Sequence, residues 1–250
     1  MSTTLAAPHG GHPEAIRAEA AAAVPWHVSA VVFASLAVLV GVIWDISWHQ
    51  SIGRDTLFSP PHLAIYLGGV VAGLSCGWLV LRTTFAGSDD ERAGAVSFWK
   101  LFRGPLGAWV CIWGTFAMLT SAPFDDWWHN AFGLDTKILS PPHALLAAGI
   151  GAINLGALLM VAPLVNAAAT PERRRTLARL YIVACGLLLL MIATIVSEYH
   201  YRIYMHLPGF YVAAAIAFPV VLAATARAAD VSWPATGAAL VYSAVTLLLM

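Results

Sequence analysis

Long apolar segments separated by short polar ones make up most of the chain. There are seven apolar segments, and each is predicted to be a helix: 26–48, 60–82, 105–128, 141–166, 177–199, 207–228 and 234–250. Each of the first six is long enough to cross about 30 Å of hydrocarbon as an α-helix. The seventh stops at Met250, which is the pattern of a fragment or of a helix that ends near the terminus. The pattern therefore predicts an all-α, polytopic transmembrane helical bundle of six or seven spans.

The polar connections differ in charge from one side of the predicted bundle to the other. One side carries ten of the 13 basic residues, namely Arg17, Arg82, Arg92, Lys100, Arg103, Arg173, Arg174, Arg175, Arg179 and Arg227. The other side carries only Arg54, Lys137 and Arg202. Because basic residues mark cytoplasmic loops, we expect the N-terminus in the cytoplasm. The connections at 49–59, 129–140 and 200–206 then face outward, which is the periplasm if the host is Gram-negative.

The predicted domain organisation is simple. Residues 1–24 are expected to form a cytoplasmic tail or a short amphipathic helix, and their lack of an apolar run argues against a signal peptide. The rest, 25–250, is predicted to be a single transmembrane domain. It consists of repeated helical hairpins, at about 26–82, 105–166 and 177–228, and a final span at 234–250.

Composition agrees with a membrane protein and excludes other classes. The chain is 60% hydrophobic and 10% charged, with no net charge. It has no basic run with interleaved aromatic residues, so nucleic-acid binding is not expected. Cys76, Cys111 and Cys185 all lie in apolar segments without CxxC spacing. We therefore expect buried thiols and neither disulfides nor thiolate metal sites.

Two polar motifs about 80 residues apart repeat the same metal-binding residue types. Each consists of Asp-x3-His, an Asp six residues later, and then Ser-Pro-Pro-His. The residues are Asp45, His49, Asp55 and His62 in the first motif, and Asp125, His129, Asp135 and His143 in the second. Both motifs lie where one apolar segment ends and the next begins. Ionisable residues at such a boundary are costly to keep unless they bind something.

The spacing brings three ligands together in each motif. Asp45 and His49 are four residues apart and share a helix face. Ser59 suits the N-cap and Pro60 or Pro61 the first position of the next helix, which places His62 in its first turn. A short connection can therefore bring His62 opposite the other two residues. The second motif repeats this arrangement with one extra residue before the final His.

One carboxylate and two imidazoles suit copper, iron or zinc, whereas magnesium and calcium prefer oxygen ligands. The alternative is that these residues hydrogen-bond one another and cap helices. Asp55 and Asp135 either orient a His through its other ring nitrogen or form loop caps and ion pairs with Arg54 or Lys137. Trp44, Trp48, Trp127 and Trp128 flank the ligands and are expected to form an aromatic belt, with shielding of a metal as an added role.

A third polar group lies at the boundary between the fifth and sixth segments. It contains Glu198, His200 and His206. These residues form a further metal cluster, line the other two, or constitute a polar helix end that reaches water.

The segment Asp45–His62 closely resembles the first copper-binding segment of the C-type subunit of the copper membrane monooxygenases. That family contains the particulate methane, ammonia and short-chain hydrocarbon monooxygenases. Its second site follows the pattern Asn-x3-His-x13-His, and the second motif of this chain matches it with Asp125 in place of Asn. The resemblance implies two copper sites near the periplasmic face, with six catalytic ligands: Asp45, His49, His62, Asp125, His129 and His143. The added charge of Asp125 and the near-identity of the motifs are typical of a divergent branch.

The resemblance also implies a function. The chain would be one component of a copper-dependent monooxygenase that uses O2 to hydroxylate methane, a short alkane or alkene, or ammonia. The family's A-type and B-type subunits would complete a trimer of heterotrimers in the bacterial inner or intracytoplasmic membrane, with a quinol or another donor supplying electrons. The alternative is a membrane protein that binds or transports copper or zinc without redox chemistry. The inner halves of the spans carry almost no ionisable residues, which disfavours conduction.

Overall fold

The computed structural model of the chain describes residues 23–53, 56–133, 140–196 and 208–249. Within these ranges it has eight helices and one two-stranded sheet. In chain order they are α1 (Trp26–Ser51), α2 (Pro60–Ala86), α3 (Asp89–Ala93), β1 (Val96–Phe98), β2 (Phe102–Gly104), α4 (Leu106–Phe132), α5 (Pro141–Asn166), α6 (Pro171–Val196), α7 (Pro208–Ala228) and α8 (Pro234–Leu249). Six helices, all but α3 and α8, contain a stretch long and apolar enough to cross a membrane. The predicted transmembrane helical bundle is confirmed.

The helix ends differ from the predicted ends where polar residues continue the helix. α1 extends to Ser51, and the hydroxyls of Ser47 and Ser51 donate to carbonyls one turn earlier at 3.0 and 2.7 Å. α6 begins at Pro171 and not at 177, because the Thr170 hydroxyl accepts the amide of Arg173 at 3.2 Å and caps the helix. Hydropathy misses such turns, since their backbone is helical although their side chains are polar.

Two helical hairpins, α1–α2 and α4–α5, have the largest helix interfaces. α1 also packs against α5 and α6, and α6 packs against α7 and α8. Fully buried apolar side chains, including Val38, Cys76, Ile153 and Leu187, fill the space between these helices. Large apolar side chains on the outer surface, such as Leu74 and Leu247, are exposed. This distribution is that expected of a bundle whose outer face contacts lipid.

The same close contact joins the helices of both hairpins. A Cβ atom on Gly68 would lie 2.8 Å from the Ala34 carbonyl oxygen, and one on Gly149 would lie 2.8 Å from the Gly114 carbonyl oxygen. In each hairpin the carbonyl belongs to the residue 11 positions before the motif's first Asp, and the glycine lies six positions after the motif's final His. The sequence repeat therefore continues into the packing of the helices, because small residues allow the backbones to approach closely.

The charged connection after α2 contains elements that the hydropathy pattern does not indicate. α3 begins with a capping box, in which the Ser88 hydroxyl and the Glu91 carboxylate each accept the other residue's backbone amide. Strands β1 and β2 then form an antiparallel hairpin. Trp99 and Lys100, at its tip, adopt the left-handed backbone conformation with φ of 51° and 60°.

The Glu91 carboxylate should make the start of α3 sensitive to acid. Its hydrogen bonds from the Ser88 amide and from the Arg82 guanidinium, at 2.9 and 3.0 Å, lower the pKa of Glu91 below its ordinary value near 4.5. The stabilisation is therefore complete above that value and is lost as the pH falls through the lowered pKa. We expect faster amide hydrogen exchange over 88–94 in acid, after correction for the intrinsic rate. Glu91→Gln should abolish this pH dependence; an unchanged dependence in that variant would contradict the assignment.

Candidate metal centres

The first motif forms a cluster where α1 ends and α2 begins. The Asp45 Oδ1 atom lies 3.3 Å from the Nε2 atom of His62 and 3.7 Å from the Nδ1 atom of His49. Asp45 and His49 belong to the last turns of α1, and His62 lies in the first turn of α2. The structure thus brings the three residues of the predicted first site together.

The second motif forms the equivalent cluster between α4 and α5, with a more symmetric arrangement. The Asp125 Oδ2 atom lies 3.4 Å from His129 Nε2, and its Oδ1 atom lies 3.5 Å from His143 Nε2. The two imidazole centroids are 6.4 Å apart. Each oxygen of one carboxylate therefore faces a different imidazole.

The Ser-Pro-Pro-His sequence explains why each second helix begins where it does. Pro60 and Pro141 are the first residues of α2 and α5, where the missing amide proton costs no helical hydrogen bond. The preceding serines, Ser59 and Ser140, occupy the N-cap with extended backbones and are buried. The final His of each motif is consequently held in the first turn of a helix, on a rigid element.

Backbone carbonyls fix the tautomers of two histidines. His62 Nδ1 lies 3.0 Å from the Thr56 carbonyl oxygen, and His129 Nδ1 lies 3.1 Å from that of Gly133. A carbonyl oxygen only accepts hydrogen bonds, so each Nδ1 donates. In the neutral ring the Nε2 atom then carries a lone pair directed at the carboxylate, which is the state that binds metals.

One oxygen in each cluster is placed to face a cation. Asp45 Oδ1 and Asp125 Oδ1 are buried and accept no hydrogen bond from the described residues. Asp45 Oδ1 faces the Nε2 lone pair of His62, and Asp125 Oδ2 faces that of His129. Two electron-rich atoms so placed are unfavourable unless a proton or a metal ion lies between them. Ligands bound at about 2.0–2.2 Å to a tetrahedral metal lie roughly 3.3–3.6 Å from one another. The separations of 3.3–3.5 Å in these clusters match that spacing.

In neither cluster do the three candidate ligands converge on one point with their side chains in the observed conformations. Among the described residues, no group of three or more His, Cys, Asp or Glu side chains converges closely enough to hold a metal ion. In the first cluster, His49 Nδ1 donates to the Asp45 backbone carbonyl at 2.9 Å, and half of the His49 side chain is exposed. Its other nitrogen therefore does not face Asp45. Each cluster contains carboxylate–imidazole pairs at ligand spacing, and closing the first requires His49 to rotate.

Several predicted site residues fall outside the described ranges. These are Asp55 and Asp135, as well as the third group, Glu198, His200 and His206. Their predicted roles remain predictions. The flanking aromatic residues Trp44 and Trp127 lie exposed at this end of the bundle, as expected of a belt at the membrane interface.

Some residues that shape the clusters were not predicted from the sequence. The Tyr66 hydroxyl donates to the Leu57 carbonyl at 2.9 Å and holds the connection against α2. Its position four residues after His62 was the available signal, because it places both rings on one helix face. Gly133, which orients His129, has a φ of 85° and ends α4, as a glycine after a helix often does.

Comparison of the chain with protein-family models, with curated proteins and with solved structures finds no match. A function must therefore be inferred from the two clusters and from the resemblance of their motifs.

Proposed function

We propose that the chain is a metal-binding component of a copper-dependent membrane monooxygenase. The observation that carries this proposal is the pair of matching clusters at one end of a membrane-spanning bundle. In each, a buried Asp oxygen faces the Nε2 atom of a His from the neighbouring helix at 3.3–3.5 Å. Duplicated helix caps would not need a carboxylate that faces imidazole nitrogens from two helices, whereas two metal sites would.

Asp45, His49 and His62 would hold one metal ion, and Asp125, His129 and His143 the other. Copper fits this mixed imidazole and carboxylate set, and iron or zinc would fit it as well. When bound, copper supplies the redox chemistry that activates dioxygen for insertion of one oxygen atom into a C–H or N–H bond. The chain contributes ligands fixed at helix ends and imidazoles oriented by backbone carbonyls.

The surroundings of the clusters suit a small uncharged substrate, such as methane, a short alkane or alkene, or ammonia. The helices that carry the ligands pass directly into the apolar bundle, so such a substrate can approach through the bilayer. By the resemblance, the A-type and B-type subunits would complete the enzyme in a bacterial inner or intracytoplasmic membrane. A quinol or another external donor would supply the electrons.

The alternative function is the binding or transport of copper or zinc without redox chemistry. A transport path needs polar ligands that continue through the bundle. In the described part of the chain, the buried polar side chains are hydroxyls and one amide, those of Ser35, Ser59, Ser75, Thr83, Thr115, Ser121, Ser140, Asn154 and Thr225. None of these is ionisable, which favours sites that retain their metal over a pathway through the membrane.

Metal analysis of single-ligand variants tests the proposal. In the assembled complex, His49→Ala and His129→Ala should each lose the copper of one cluster and retain that of the other. The remaining copper should give an EPR signal of nitrogen-coordinated Cu(II). Asn130→Ala is a matched control, since Asn130 follows His129 and donates to Asp126 at 3.3 Å, outside the cluster.

The outcomes separate the two functions. Copper together with substrate-dependent uptake of dioxygen would support the monooxygenase. Copper or zinc without dioxygen uptake, in a complex that retains its partners and lipid, would favour the binding or transport protein. Equal copper loss in Asn130→Ala would refute His129 as a ligand of the second site, and the absence of any metal would refute both sites.

A further inference from the structure

A cavity of about 910 Å³ opens at the arginine-rich end of the bundle, far from the metal clusters. It lies between α6, α8 and the connection that precedes α8. Arg175, Arg179 and Trp233 line its outer part, and Ile182 and Val241 line it further along the helices. Because an α-helix rises 1.5 Å per residue, Ile182 lies about 10 Å deeper than Arg175. The lining thus changes from cationic to apolar with depth.

The two arginines of the cavity have no ion-pair partner among the described residues. Asp230 also lines the cavity, but it pairs with Arg174, whose Nη2 atom is 3.6 Å from its Oδ2 atom. No ion pair formed by the described residues includes Arg175 or Arg179. These two residues are four positions apart on one helix face, where like charges repel. An anion between them would remove that repulsion.

Trp233 adds an aromatic rim to the opening. It immediately precedes Pro234, has a left-handed φ of 58°, and leaves 81% of its surface exposed. A large aromatic residue in this conformation is strained, and such strain tends to mark functional positions. Tryptophan also favours the depth of lipid headgroups, where its apolar ring and its N–H group are both satisfied.

We infer that this cavity binds an anionic phospholipid, with the phosphate held by Arg175 and Arg179 and an acyl chain along Ile182 and Val241. Guanidinium groups bind phosphate oxygens through paired hydrogen bonds, and basic pockets between transmembrane helices are suited to anionic headgroups. A free phosphate would satisfy the arginines but would leave the apolar depth of the cavity unused. The inference does not depend on the metal chemistry proposed above.

Native mass spectrometry of the delipidated protein tests this site. Phosphatidylglycerol should bind more tightly than phosphatidylcholine with the same acyl chains. The double variant Arg175→Gln/Arg179→Gln should weaken phosphatidylglycerol binding by roughly 10- to 30-fold, since each basic residue near the surface contributes about one kcal/mol. Arg227→Gln is the matched control, because Arg227 lies at the same end of the bundle and does not line the cavity.

Three further results would overturn the inference. These are equal binding of the two lipids, equal loss in Arg227→Gln, and displacement of phosphatidylglycerol by millimolar inorganic phosphate, which would indicate a site for the free ion. The variant Arg175→Lys/Arg179→Lys, which keeps both charges, is a control for loss of binding through misfolding of the glutamine variant. It should show an intermediate loss, because lysine cannot form the paired hydrogen bonds.

Discussion

If the clusters bind metal as proposed, replacing Asp125 with alanine should lower the metal affinity of the second cluster at least 100-fold and leave that of the first unchanged. Asp125 is the residue that both imidazoles of the cluster face, at 3.4 and 3.5 Å. Even residues that only orient metal ligands change affinity by about 10- to 100-fold, so the loss of a ligand should exceed that range. Titration of the purified protein against a copper chelator of known affinity measures the change.

The neighbouring carboxylate offers a matched control. Asp126 has the same charge but accepts a hydrogen bond from Asn130, one turn further along α4. Asp126→Ala should therefore leave both clusters unchanged. If it reduces the affinity as much as Asp125→Ala does, a general electrostatic effect is at work and Asp125 is not a ligand.

The variant Asp125→Asn distinguishes the contribution of the negative charge from that of the oxygen ligand. The copper membrane monooxygenases, which the two motifs resemble, have Asn at the position that corresponds to 125. Asp125→Asn keeps an oxygen that can face one imidazole and removes the negative charge. We expect a smaller loss of affinity than in Asp125→Ala, together with a shift of the copper redox potential towards more positive values.

The bundle was largely predictable because lipid restricts the backbone. A segment that crosses a membrane must satisfy all its amides and carbonyls internally, so a long apolar run has few alternatives to a helix. The predicted segments accordingly match the observed helices. The errors fall at polar helix ends, such as the end at Pro171, where the helix begins with a capped turn that contains arginines. The hairpin β1–β2 was missed, since left-handed turns usually carry Asn or Gly and not Trp99 and Lys100.

The candidate sites were predictable only in part. The repeat of Asp, His and His, with Pro at the start of each second helix, indicated which candidate ligands lie close together, because helical spacing is regular. The orientation of the imidazoles was not predictable, since the carbonyls of Thr56 and Gly133 belong to connections without a periodic pattern. The orientation of the His49 ring depends on a hydrogen bond to the Asp45 carbonyl of its own helix. Residue types and their spacing do not reveal such a bond.

The close contact between α4 and α5 explains how a remote residue can control the second cluster. A Cβ atom on residue 149 would lie 2.7 Å from the Met118 amide nitrogen and 2.8 Å from the Gly114 carbonyl oxygen. These are backbone atoms of a helix, which cannot move aside without moving the helix. Asp125 lies on the same helix, and His143 lies on the helix of Gly149.

Gly149→Ala should therefore destabilise the protein by about 1–3 kcal/mol and weaken metal binding at the second cluster only. Forcing α4 and α5 apart increases the separation of Asp125 and His143, whereas the α1–α2 contact that supports the first cluster stays intact. Gly77→Ala is the matched control, because a Cβ atom there would meet no atom within 4 Å. It should be neutral or slightly stabilising, since alanine favours the helix. Thermal unfolding and copper analysis of both variants measure these effects. Loss of copper from both clusters in Gly149→Ala would contradict the prediction, because it would show that the two hairpins do not act as separate units.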